Sequence, residues 1–176
     1  MKRAAVFIFV VITVIWMSFI FLNSSKDGNK SNSMSYKIAI SIKENFSHET
    51  LNKIKVKLEK NTKYRFKNDL SVVNFVIRKF AHFSEYMILA ILVYMFFSFI
   101  GFNSKHRIVY VLFICLMYAV LDEFHQSFVL QRTSKVADIL IDFSGAVFIT
   151  LINGIFSLIN IFVNKVKYNK KVKLHE

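Results

Sequence analysis

The chain has no proline, four glycines and a single cysteine in 176 residues. So little turn punctuation argues against sandwiches and barrels and leaves uninterrupted helices as the expected element. One cysteine, Cys115, set in an apolar run, excludes a disulfide framework and a cysteine zinc pattern. Acidic residues are also scarce: 11 Asp+Glu against 24 Lys+Arg leave a formal net charge of +13. In a soluble domain that balance would suggest nucleic acid as the partner. Here much of the positive charge lies between apolar runs, where lipid phosphates are the nearest counter-charges, so membrane lipids and not nucleic acid are expected.

What the chain has in excess is apolar surface, with 55% hydrophobic residues and 20 Phe, more than a soluble domain needs. Ala4 to Leu22 is interrupted only by Thr13 and Ser18 and follows Lys2-Arg3. At about 1.5 Å per residue it is long enough to cross a hydrocarbon layer of roughly 30 Å. It reads as an anchor and not a cleaved signal peptide, because Phe19 to Ser25 offers no small-x-small cleavage site. Three further spans are expected at Phe80 to Phe102, Ile108 to Leu130 and Val136 to Val163. The fold class is therefore an all-α integral membrane bundle of four transmembrane helices. Residues 1–22 form the first, 23–77 an extracytoplasmic basic loop, 78–163 a core of three more, and 164–176 a basic cytoplasmic tail.

Four spans put both termini on one side. Lys2, Arg3, the Lys105-His106-Arg107 connection and the tail lysines Lys165, Lys167, Lys170, Lys171 and Lys173 share that side, which the positive-inside bias assigns to the cytoplasm of a cell membrane. The segment 23–77 votes the other way, with eleven basic residues against five acidic ones. Near the roughly 60-residue limit of the rule, its vote counts for less. Within it Leu51, Ile54 and Leu58 share a helical face among Lys53, Lys55, Lys57 and Lys60, while Ile54, Val56 and Leu58 also satisfy strand alternation. A helix lying on the head groups is the expected reading, against a solvated charged segment.

The informative residues interrupt the apolar spans: Arg78, Lys79, His82 and Glu85 at the start of the second, Asp122, Glu123, His125 and Gln126 near the end of the third, Asp138 and Asp142 at the start of the fourth. Hairpin connectivity brings these three places to the same membrane face. Spacings of three and four gather Arg78, His82 and Glu85, then Asp122 and Gln126, then Asp138, Asp142 and Gly145, into one stripe each. A carboxylate at a helix centre costs about 2.5–3.5 kcal/mol on insertion scales, so the stripes are expected to face inward. Arg78, Lys79, Arg132 and Lys135 would neutralise the acids around a small wet cavity. Gly145 would admit a neighbouring helix or a ligand beneath the aspartates.

RKFAHFSEYMILAILV from Arg78 and LDEFHQSFVLQRTSKVADILIDFSGA from Leu121 resemble the two signature blocks of VanZ-like membrane proteins, the family named for a teicoplanin-resistance protein. Trp16 and the run Phe21-Leu22-Asn23-Ser24-Ser25 are similar to that family's opening helix, so the resemblance leaves out only the long loop and the tail. The family pattern falls on Arg78, Lys79, His82, Glu85 and Tyr86 in the first block, and on Asp122, Glu123, Gln126, Arg132, Asp138, Asp142 and Gly145 in the second. His125 is variable in that pattern, and Leu130-Gln131 stands where members often carry a Pro-Gly turn. The resemblance implies a multipass bundle, sometimes linked to reduced glycopeptide susceptibility.

Three kinds of function are open to such a cluster. Cations beside inward carboxylates can hold a polar ligand or lipid head group, and an outward-facing site would meet lipoglycopeptides and cell-wall precursors. This binding role, with low-level teicoplanin resistance as its consequence, is the preferred expectation. The alternative is an acid–base hydrolase or transferase acting on a lipid or cell-wall precursor, with the paired aspartates divided into acid and base. It lacks an evident nucleophile, since Ser84, Ser127 and Ser134 sit in no nucleophile motif. A proton path is weakly supported, because the polar residues stop at one leaflet. No metal or cofactor is assigned: oxygen-rich clusters suit hard cations, but His-x-x-Glu is not a diagnostic spacing.

Overall fold

The structure, a computed structural model, describes residues 2–62 and 64–172. Six helices follow one another among the described residues: α1 (Lys2–Ser24), α2 (Gly28–Lys43), α3 (His48–Asn61), α4 (Asp69–Phe99), α5 (Ser104–Gln126) and α6 (Val136–Val172). The protein is all-helical, and by length and composition α1, α4, α5 and α6 can each cross a membrane. The second, third and fourth expected spans are recovered with altered ends. α4 begins at Asp69, eleven residues ahead of the apolar run, α5 stops at Gln126, and α6 continues past Val163. At 31 residues α4 is about 46 Å long, so it extends well beyond the hydrocarbon layer. The tail lysines named above lie outside the residues whose side chains are described.

The segment between the first and second spans forms two helices, α2 and α3, each packed on α4. Asp27 caps α2 by accepting from Lys30 N at 2.8 Å, and Ser47 caps α3 by accepting from Thr50 N at 3.3 Å. Asn68 and Ser71 form a reciprocal capping box at the start of α4. These short polar side chains satisfy amide groups that a helix start would otherwise leave bare. Strand alternation over 54–58 loses to helix because Leu51 is buried with Ala39 of α2 and Val73 of α4, with Ile42, Leu70 and Ile77 packed around them. His48 Nδ1 lies 2.6 Å from Asp69 Oδ2 and fastens the start of α3 to the start of α4.

The main core lies where α1, α4, α5 and α6 meet, around Ile20, Tyr86, Leu89, Val93, Val111 and Cys115. Because lipid tails are as apolar as leucine, helix association in a bilayer depends on close van der Waals contact and small residues. Ala90, Ala119 and Ala146, all fully buried, supply that closeness, while Phe7, Phe80, Phe113 and Leu151 point outward as a lipid-facing surface would.

The turn between α5 and α6 carries strain. Gln131 has φ +59°, a left-handed conformation that costs a side-chain-bearing residue about 1–2 kcal/mol. The fold holds it there because Gly28 N donates to Leu130 O at 3.1 Å, and a Cβ on Gly28 would stand 2.2 Å from Gln131 O. Gln131→Gly is therefore expected to stabilise the protein by about 0.5–1 kcal/mol, net of glycine's greater chain entropy. Thermal unfolding in detergent measures it, and a lowered midpoint would show that the glutamine side chain contributes more than its backbone costs.

Candidate functional site

The polar stripes of α4, α5 and α6 converge at one end of the bundle, as the hairpin argument requires, and the end of α1 joins them. Asp122, Glu123 and Asp142 are 2%, 1% and 1% exposed. Asp122 Oδ2 accepts from Ser24 Oγ at 2.8 Å and from Gln126 Nε2 at 2.9 Å. Gln126 Oε1 accepts from Arg132 at 2.9 Å, and the same guanidinium donates to Lys26 O at 3.0 Å and Asn23 O at 3.2 Å. A continuous chain of hydrogen bonds thus ties the end of α1 to α5 and to the turn after it. Glu123 Oε1 accepts from Lys135 N at 2.6 Å and anchors the entry into α6.

Across the α4–α6 seam Lys79 Nζ donates to Asp138 Oδ1 at 2.6 Å. His82 Nδ1 stands 3.4 Å from Asp142 Oδ1, near enough for attraction yet out of line for a hydrogen bond, and 4.0 Å from Glu85 Oε2. Glu85 Oε1 accepts from Asn23 Nδ2 at 3.1 Å, and its backbone oxygen accepts from the Trp16 indole at 2.9 Å. Both oxygens of Asp142, Asp122 Oδ1 and the Tyr86 hydroxyl are buried with no hydrogen-bond partner among the described residues. Buried polar atoms are rarely left so, and their concentration beneath one opening singles this end of the bundle out.

Two cavities open above this interior. The larger, of about 410 Å³, lies between α2, α4 and the α5–α6 turn, and Arg78, Lys79, Arg132 and Lys135 line it against one carboxylate, Asp138. The smaller, of about 200 Å³, is lined by Asn23, Ser24 and Glu85, and it shares Arg78, His82 and Arg132 with the first. Of the twelve residues singled out by sequence, Arg78, Lys79, His82, Glu85, Gln126, Arg132 and Asp138 line these spaces. Tyr86, Asp122, Glu123 and Asp142 lie beneath them as support.

Gly145 has a different part from a ligand contact. A Cβ there would stand 2.2 Å from Phe83 O and 2.9 Å from Met87 N, so the room it leaves is taken by the α4 backbone. The expected neutralisation also holds for one pair only, Lys79 with Asp138. Arg132 spends its donors on two carbonyls and an amide, and Lys135 Nζ sits 4.5 Å above the Tyr64 ring. Arg78 has no hydrogen bond or ion pair among the described residues. Burial draws the Arg132 guanidinium below its ordinary pKa, with the Arg78 charge pushing the same way against the pull of Asp122 and Glu123. It stays protonated.

Sequence reading passed over Asn23 and Ser24 as site residues, although two polar residues closing an apolar span were a visible signal. Tyr64, 14 residues ahead of Arg78, had none. His125 packs its ring on Phe21 with centroids 4.2 Å apart. Among the described residues no three or more His, Cys, Asp or Glu side chains are set to hold a metal ion.

A family model described as VanZ/LLP1 matches residues 9–157, a stretch that begins within the first span and takes in α2, α3 and the other three spans. No curated protein and no solved structure matches the chain.

Proposed function

The chain belongs to the VanZ/LLP1 family of membrane proteins, and we propose that it binds a polar ligand or lipid head group at this cluster near the outer leaflet, lowering susceptibility to teicoplanin and related lipoglycopeptides. The observation that carries the proposal is the convergence of four cations on one cavity above buried carboxylates. Lys79 and Arg132, held by the bonds described above, can meet a charged ligand at little further ordering cost. The orientation that goes with it has both termini in the cytoplasm. Its support is the short basic connection at Lys105-His106-Arg107 and the basic start at Lys2-Arg3. The cavity would then face the compartment where lipoglycopeptides meet the membrane.

Expression in a susceptible Gram-positive host tests this. The teicoplanin inhibitory concentration should rise with the wild-type protein and fall back with Asp122→Asn or Asp138→Asn at equal protein level. Vancomycin, which lacks a lipid tail, serves as the control. If Asp122, Asp138 and Asp142 can all be neutralised together with no change in susceptibility or lipid binding, the proposal fails.

A second reading, an acid–base hydrolase or transferase acting on a lipid or cell-wall precursor, draws on one observation: the 3.4 Å approach of His82 to Asp142 under the cavity. An enzyme would lose turnover in Asp142→Asn while retaining ligand, whereas a binding module has no turnover to lose.

A further inference from the structure

The polar cavity does not end at its rim. Beside it an apolar groove of about 440 Å³ runs between α4 and α6, lined by Val76, Phe80, Phe83, Ala137 and Ile141. Cavity and groove share four residues, Tyr64, Phe75, Lys79 and Asp138, so the two spaces meet across the Lys79–Asp138 ion pair. Lys79 Nζ lies 2.6 Å from the carboxylate and 5.6 Å from the centre of the Phe75 ring, with the charged space on one side and hydrocarbon on the other. Val76 and Phe80 are 44% and 67% exposed, so the groove opens outward along helices that span the bilayer.

In the lining of the larger cavity four cations stand against one carboxylate, Asp138, while Glu85 lines the smaller cavity and Asp122, Glu123 and Asp142 lie buried beneath. Lys79 alone among the four lining cations has a carboxylate within ion-pair distance among the described residues. Arg78 offers its guanidinium to both cavities with no acceptor, and it lies close enough to Arg132 to disfavour that residue's charge. Two guanidiniums that repel one another across a cavity are stabilised together by a shared anion, and guanidinium forks match phosphate oxygens geometrically.

We infer that cavity and groove form one site for a phosphate-headed membrane lipid, its phosphate against Arg78 in the cavity and a hydrocarbon chain in the groove between α4 and α6. The inference rests on the head-group reading above and narrows it to one charge and one amphiphile. Neutral or cationic head groups would add to the repulsion between Arg78 and Arg132 or leave it in place. A free phosphate would leave the groove unused.

Titration calorimetry of the full chain in neutral detergent, with dioleoyl phosphatidic acid, dioleoylglycerol and inorganic phosphate as probes, tests both halves. Phosphatidic acid should bind the wild type at least about tenfold more tightly than dioleoylglycerol, which lacks only the phosphate, and more tightly than inorganic phosphate. Arg78→Gln should weaken phosphatidic acid by about tenfold or more. Ala137→Trp, which fills the groove, should weaken phosphatidic acid and leave inorganic phosphate unchanged. Equal binding of phosphatidic acid and dioleoylglycerol overturns the inference, as does phosphatidic acid affinity indifferent to both variants. Inorganic phosphate binding as tightly as the lipid removes the groove from the site and overturns it too. The wild-type series decides the matter even if a variant fails to fold. Should phosphatidic acid not bind while Asp122→Asn still abolishes teicoplanin protection, this inference falls and the broader reading stands.

Discussion

Gly145→Ala should lower the unfolding midpoint in detergent sharply, by the equivalent of about 3 kcal/mol or more, whereas Gly154→Ala on the same helix should raise it. The two glycines sit on α6 and differ in what surrounds them. A Cβ at Gly145 would stand 2.2 Å from Phe83 O and 2.9 Å from Met87 N, both backbone atoms of α4, which cannot swing aside as a side chain could. A Cβ at Gly154 meets nothing within 4 Å. At Gly154 only the helix propensity difference acts, about 1 kcal/mol in favour of alanine. At Gly145 the helices must part, and the ion pair of Lys79 with Asp138 and the approach of His82 to Asp142 span that same seam. Loss of the proposed ligand binding should therefore accompany the loss of stability. Equal midpoints for wild type and Gly145→Ala would mean that α4 and α6 are not packed this closely.

The second large effect is expected at Arg132. Its three nitrogens reach Asn23 O, Lys26 O and Gln126 Oε1, so one side chain closes the end of α1 onto α5 and the turn after it. Hydrogen bonds from a charged donor contribute about 1.5–3 kcal/mol each, without adding simply, and their loss strands acceptors in a partly buried place. Arg132→Ala should cost about 3 kcal/mol, and Arg132→Lys should recover only part of it because an ammonium cannot span three acceptors in a plane. Since Gln126 also donates to Asp122, the damage should extend to the teicoplanin protection proposed above, at unchanged expression. Chemical unfolding of the three proteins side by side measures the cost. If Arg132→Lys matches the wild type, charge alone is what the site uses.

Much of this was legible beforehand. Apolar run length gave the four spans, because a bilayer imposes a minimum length on any crossing helix. Spacings of three and four placed Arg78, His82 and Glu85 on one face, and connectivity alone brought that face to the others. The start of α4 was hidden because Asp69, Asn74, Arg78 and Lys79 interrupt the apolar pattern there. Its signal was the Asn68-x-x-Ser71 capping pair, which acts through hydrogen bonds and not through hydropathy. The partners of Arg132 and Lys135 were out of reach of any spacing rule. Long side chains choose among acceptors brought near by tertiary packing, and here two of them settle on carbonyls, an amide and an aromatic face instead of carboxylates. The left-handed turn at Gln131 was equally hidden, since nothing in a glutamine announces a positive φ.

The indole of Trp16 has one more consequence. It is the only tryptophan in the chain, its N–H bound to the Glu85 carbonyl at 2.9 Å and its ring stacked on Phe19 with centroids 5.0 Å apart. All tryptophan emission from this protein therefore originates at a single point, the contact between α1 and the polar end of α4. Any arrival at the cluster that shifts Glu85, or any loosening of α1, alters the environment of that one chromophore. The molecule carries its own optical reporter at the place where its function is proposed to lie, and it can be followed in lipid without a label.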